Sequence, residues 1–300
     1  MDMTQNKCCR HGASLRRRRR RHRKILRSII FSCSIIAVAV FVAVGSRMIR
    51  SGDGRTNKYD VEAGNNTYDN AVIENSKISE KNKIQNNQSM LDDIMNSTQY
   101  PKQLKDLALK NEEALEFVYD YPAEHVKEHT IDLTEEASMD SVPLFVQWDK
   151  RWGYEKYSGN FFAASGCGPT TLSMVVVYLT HDREASPIAV AKYSKEAGYS
   201  VDGSGSSWTL ISEGCRHYGV KAKTVALDES RMKAELDEGH PIVVNVGPGD
   251  FTDTGHFMVI TGYDDEGFSI NDPNSIEKSG KRWLFKNISS QIRAVWSMYV

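Results

Sequence analysis

The run TTLSMVVVYL, Thr170 to Leu179, constrains this chain more than any other stretch. Ten residues without a charge, apolar all round a helix, need cover on every side, so this helix belongs inside a domain. ASGCGP stands directly before it. Pro169 suits a first helical turn, which puts Cys167 at the helix tip. A thiol there faces the positive end of the helix dipole and unpaired N–H groups, which favour the thiolate. The same N–H groups can hold a developing oxyanion. Gly166 and Gly168 open the position, against the reading of Cys167 as a buried structural cysteine.

The segments that follow share a pattern. PIAVAKYSKEAG reads as an amphipathic helix. SSWTLISEGCRHYG reads as another, capped by Ser206 or Ser207 and stopped by Gly219, and DESRMKAELDEG as a further one. KAKTVAL, PIVVNVG, HFMVITGYD, GFSIND and AVWSMYV read as strands. SVPLFVQWD, around Pro143, is a short extended segment. Helices first and an antiparallel sheet later predict an α+β domain over residues 141–300. Before it, PKQLKDLALKNEEALEFVYDYP places Leu104, Leu107, Leu115 and Val118 on one helical face. Pro101 fits the first turn and Pro122 the stop, giving a helical prelude and connector over 100–140. Residues 47–99 are polar, and Ile73, Ile78, Ile84 and Ile94 recur too sparsely for a steady period. They read as a flexible stalk with room for one marginal helix.

Charge divides the chain unevenly. Residues 1–50 hold 13 Lys/Arg against one acid, and residues 51–300 hold 25 against 38. The basic excess adjoins an uncharged run over residues 28–46, long enough as a helix to cross a bilayer. Arginines on that flank keep residues 1–27 in the cytoplasm and send the rest across. The expectation is a cell-membrane protein that meets lipid through a single-pass anchor, with its domain extracellular. The alternative is a cleavable signal peptide ending near Ala43-Val44-Gly45. Beside a membrane span, the arginine cluster reads as a topology signal and implies no nucleic-acid partner. Cys8, Cys9 and Cys33 precede or lie in the span, which excludes a disulfide-dense secreted module.

A nucleophilic thiol needs a base. Of the eight histidines, His256 alone opens a strand straight after a glycine, in GDFTDTGHFMVITGYD. Asp272, ending the next strand in FSINDP, returns near His256 through the turn at Asp264-Asp265-Glu266. Asn271 is adjacent, but strand alternation sends its side chain to the other face. Cys215 is the control: it shares a helical face with Trp208, Ile211 and Tyr218 and reads as core. A Cys167–Cys215 bridge would bury the tip thiol, and the spacing does not call for it. Neither His-Glu-x-x-His nor paired Cys-x-x-Cys is present, so metal hydrolysis is disfavoured and no cofactor is implied.

GCGPTTLSMV, GHFMVITGYD and SINDP together resemble the Cys, His and Asp motifs of cysteine peptidase family thirty-nine. These are the bacteriocin-processing, double-glycine-peptidase-like members of the papain-like clan. The resemblance covers about residues 141–300 and implies a papain-like α+β fold. It also implies a triad of Cys167, His256 and Asp272, and a monomer acting on a peptide or protein. VPLFVQWDKRWG resembles the opening of the secreted branch, where a glutamine contributes to the oxyanion hole, and Gln147 occupies that place. A catalytically silent peptide-binding module, an acyl transferase and a cell-wall peptide amidase are the alternatives, the last two using the same residues.

Overall fold

The computed structural model describes residues 66–300, and residues from Asn70 to Val300 form one compact unit. The expected cytoplasmic arm, span and first part of the stalk lie outside the described residues. Among the described residues, no helix is long and apolar enough to cross a membrane.

A six-stranded antiparallel sheet organises the domain. Two small hairpins precede it, β1 (Lys156–Tyr157) with β2 (Asn160–Phe161) and β3 (Ser200–Val201) with β4 (Gly205–Ser206). The sheet strands are β5 (Lys221–Thr224), β6 (Ile242–Val246), β7 (His256–Asp264), β8 (Gly267–Asn271), β9 (Arg282–Trp283) and β10 (Ile292–Tyr299). Their order is β5-β10-β6-β7-β8-β9, every neighbour antiparallel. The five strand-like runs in the sequence are five of these six strands. The two-residue β9 has no periodic pattern to announce it.

Alternation along β6 and β7 assigns their side chains to two cores. Val243, Phe257 and Val259 pack with helix Cys167–Thr180, while Val244, Met258 and Ile260 pack with Met232 of helix Glu229–Asp237. Helix Cys167–Thr180 is buried without interruption from Gly168 to Val177, as its uncharged sequence requires. Leu172, Met174, Val175, Val176 and Val177 have no exposed surface. Each such side chain contributes about 1.5–3 kcal/mol relative to exposure. Polar groups on this helix also lock it in place: the Thr171 hydroxyl donates to the Phe257 carbonyl at 3.1 Å, and that of Ser173 to Ala185 at 2.5 Å.

Several expectations need correction. Within the expected stalk, Asn66–Asn96 form a 31-residue helix, longer than the one marginal helix for which the sequence left room. Its last turns are pinned because Ile94 is fully buried and Met90 and Leu91 pack on the prelude. The prelude is broken into Lys102–Lys110, a 3₁₀ turn Glu112–Ala114, Leu115–Tyr119 and Tyr121–Glu124. Leu104, Leu107, Leu115 and Val118 are buried as expected. Pro122 starts the last short helix instead of stopping a long one, since proline is accepted in a first turn. SVPLFVQWD forms no strand and joins no sheet ladder, and Gln147 and Trp148 lie in a turn. The segment around Cys215 is a short helix Thr209–Ser212 and a 3₁₀ turn Gly214–Tyr218. Trp208 precedes it and is 48% exposed, so it is not part of the buried face that holds Ile211 and Cys215.

Candidate active site

Cys167 is the first residue of the buried helix, with Gly166 as its N-cap. It is half-buried, and it and Cys215 are both free thiols. The two glycines serve packing and do not open the position. A Cβ on Gly166 would meet the Phe162 ring at 2.5 Å, and one on Gly168 would meet Ser206 Oγ at the same distance. Glycine is required there because other side chains press against the helix tip.

His256 opens β7 and is 6% exposed; Asp272 follows β8 and is fully buried. His256 Nε2 lies 2.7 Å from Asp272 Oδ1. Cys167 interacts with the same imidazole, and with Nε2 turned to Asp272 the nitrogen left to face the thiol is Nδ1. The bond from Thr171 to Phe257 ties the cysteine helix to the residue after His256, which fixes the spacing between nucleophile and base.

Electrostatics act on the pair in opposite directions. Burial pushes the Cys167 thiol up. The hydrogen bond and charge of His256, with the Phe257 and Gly168 backbone, outweigh it and hold the thiol below its ordinary range. Burial likewise pushes His256 down, but the charge and hydrogen bond of Asp272, joined by Cys167, raise it well above an ordinary imidazole. Both shifts favour thiolate beside imidazolium near neutral pH. Cys215 shows the opposite environment: burial alone dominates and pushes it up to about 11.

Gln147 is 5% exposed and borders the same 510 Å³ cleft as Cys167 and His256. Its Nε2 donates to the Ala163 carbonyl at 2.7 Å and to Asn274 Oδ1 at 3.4 Å, while Oε1 is buried with no partner. Asn271 turns away and donates to the Val142 and Pro143 carbonyls, at 3.1 and 3.0 Å. Asp264 pairs with Arg282 at the far end of the hairpin.

One residue of the site has no signal in the sequence. Asn274 donates its backbone N–H to Asp272 Oδ1 at 2.8 Å, and its side chain accepts from Gln147. It therefore links the acid to the glutamine. The cleft wall opposite the domain comes from the prelude, with Leu107, Lys110 and Asn111. Loop 249–255 forms the remaining rim, held by paired hydrogen bonds between Asp250 and Gln291 at 2.6 and 2.7 Å.

The sequence profile of the Peptidase_C39-like family matches residues 139–300, more than half of the chain. The chain belongs to this family. Among solved structures, it is similar to the peptidase domain of Streptococcus ComA, a bi-functional ABC transporter involved in quorum sensing. That match has 18% identity, covers 53% of this chain and 96% of that one, and has a TM-score of 0.39. It is also similar to a putative C39-like peptidase from Bacillus anthracis at 17% identity, over 53% of this chain and 95% of that one, with a TM-score of 0.33. No curated protein matches.

Proposed function

We propose that this member of the C39-like family is an active cysteine peptidase that hydrolyses peptide bonds through Cys167, His256 and Asp272. The observation that carries the reading is the continuous chain from thiol to imidazole to buried carboxylate, with the thiol held low and the imidazole high. A structural cysteine has no use for such an environment, and Cys215 lacks it.

The Cys167 thiolate attacks the scissile carbonyl carbon, and the carbonyl π electrons move onto oxygen. The Cys167 backbone N–H, one of the first four amides of its helix and not used inside it, faces that oxyanion. Gln147 Nε2 is the second donor; the 3.4 Å bond to Asn274 is the weaker of its two and the one an oxyanion replaces. The tetrahedral intermediate collapses, the C–N bond breaks, and the imidazolium of His256 protonates the leaving amine. A thioester on Cys167 remains. Neutral His256 then takes a proton from water as the water attacks the thioester, releasing the acid and restoring thiolate and imidazolium. Asp272 stays ionised throughout and holds the ring in orientation.

The substrate is a peptide or protein segment. From the charge asymmetry of the first fifty residues, the domain is tethered to the outer face of the cell membrane by residues 28–46. Incubating the full chain with a peptide library and sequencing the products tests the activity. New peptide termini that disappear in Cys167→Ala support it, and an unprocessed library contradicts it. Products joined to an added amine would reassign the site to acyl transfer.

A further inference from the structure

The loop after β8 carries both Asp272 and Asn274, and much of what holds it comes from the prelude, about 160 residues away in sequence. Asn111 Nδ2 donates to the Asn274 carbonyl at 2.9 Å and to its Oδ1 at 3.1 Å. Glu113 accepts from three groups of the next turn: the Ser275 hydroxyl on Oε1, and the N–H groups of Ile276 at 2.7 Å and Glu277 at 3.0 Å on Oε2. Asn111 Oδ1 also accepts from the Glu113 N–H at 3.0 Å, so the two anchors are fixed to each other. The Ser275 N–H donates to the Asp272 carbonyl at 3.2 Å, and Asn274 N–H to its carboxylate. Glu113 is a carboxylate receiving backbone and hydroxyl donors, the stronger kind of hydrogen bond.

We infer that Glu113 and Asn111 are positioning residues for the reaction, acting through the 272–277 loop on the carboxylate of Asp272 and on Asn274. This rests on the peptidase reading above. Both residues lie outside the segment matched by the family profile. The prelude is thus part of the working site, and not only a helical spacer. Without Glu113 the loop loses the acceptor for three donors. What then holds it is Asn111 on Asn274, the Gln147 N–H on the Pro273 carbonyl at 2.7 Å, Trp148 Nε1 on the Asn274 carbonyl at 3.2 Å, and Ser279 Oγ accepting from the Asp272 N–H at 2.9 Å. A carboxylate that wanders supports the imidazolium less, and the thiolate with it.

The test uses the full chain and reads two quantities, peptide turnover and the pH profile of iodoacetamide alkylation at Cys167, with Cys215 as reference. In wild type, Cys167 is expected to react faster than Cys215 down to mildly acidic pH. In Glu113→Ala, kcat is expected to fall about tenfold or more, with KM within about twofold, as for a misplaced catalytic group. The Cys167 profile should also move to higher pH, which mere loss of folded protein would not produce. Glu116→Ala, which removes a prelude carboxylate that makes none of these loop contacts, should leave both readouts unchanged. Should Glu113→Ala fail to fold, Asn111→Ala carries the test, because it removes only the bonds to Asn274 and the Glu113 N–H. A normal wild-type profile with unshifted profiles and turnover in the folded variants overturns the inference and leaves the peptidase reading standing. A wild-type Cys167 no more reactive than Cys215 overturns both.

Discussion

Asp272→Asn is the most informative single change, because the structure fixes what the new amide can do. Asp272 Oδ1 accepts from both His256 Nε2 and the Asn274 N–H, at 2.7 and 2.8 Å. An asparagine must place its oxygen there, which puts its NH₂ group where Oδ2 now lies, buried with no partner. An unsatisfied buried donor costs about 1–3 kcal/mol, a tolerable fraction of a domain's stability. The larger loss is electrostatic. With charge centres about 4 Å apart and an effective dielectric of about 20, the carboxylate supports the imidazolium by about 4 kcal/mol. That is roughly a thousandfold in rate if all of it is realised in the transition state. The amide oxygen still orients the ring, so we expect kcat/KM to fall about a hundredfold. The assay is peptide cleavage at neutral pH beside a urea melt on the same preparation. Turnover within about threefold of wild type, or a larger loss in Asp264→Asn than in Asp272→Asn, would refute the assignment.

Three further outcomes follow. Because Cys167 is held low and His256 high, activity should form a plateau through neutral pH. It should fall on the acid side as the thiolate is protonated, and on the alkaline side only above the ordinary imidazole range, as the raised imidazolium deprotonates. A pH–rate profile with a single limb near an unperturbed histidine would contradict the ion pair. Gly168→Ala should destabilise the domain by about 1–3 kcal/mol in a urea melt, since the new Cβ would sit 2.7 Å from Ser206 Cβ, and Ser206 is bonded to the Tyr157 hydroxyl. External protease on intact cells should release the domain if residues 28–46 anchor it outside; protection equal to that of cytoplasmic controls would reverse the topology.

What the sequence made legible follows from which signals are local. Cys167, His256 and Asp272 each sit at an element boundary marked by glycine, proline or a strand end, so their chemistry could be read from a few neighbours. The core helix and five of the six sheet strands announced themselves by hydrophobic period. Asn274, Asn111 and Glu113 did not, because their roles exist only through contacts that join the prelude to the acid loop. The packing demand on Gly166 and Gly168 was equally hidden, since it comes from Phe162 and from Ser206 on a separate hairpin. The helix over Asn66–Asn96 read only as room for a marginal one because its sequence is polar, and the packing of Met90, Leu91 and Ile94 that anchors its end is a tertiary contact.

The central claim is that Cys167 Sγ forms a covalent acyl intermediate. Quenching the full chain in acid during turnover of a cleaved peptide, then fragmenting it by mass spectrometry, tests this most directly. The account predicts the N-terminal half of the substrate attached to Cys167, released by hydroxylamine and missing from Cys167→Ala, with Cys215 unmodified. Continued cleavage by Cys167→Ala, with no acyl group found on the wild-type thiol, would contradict it.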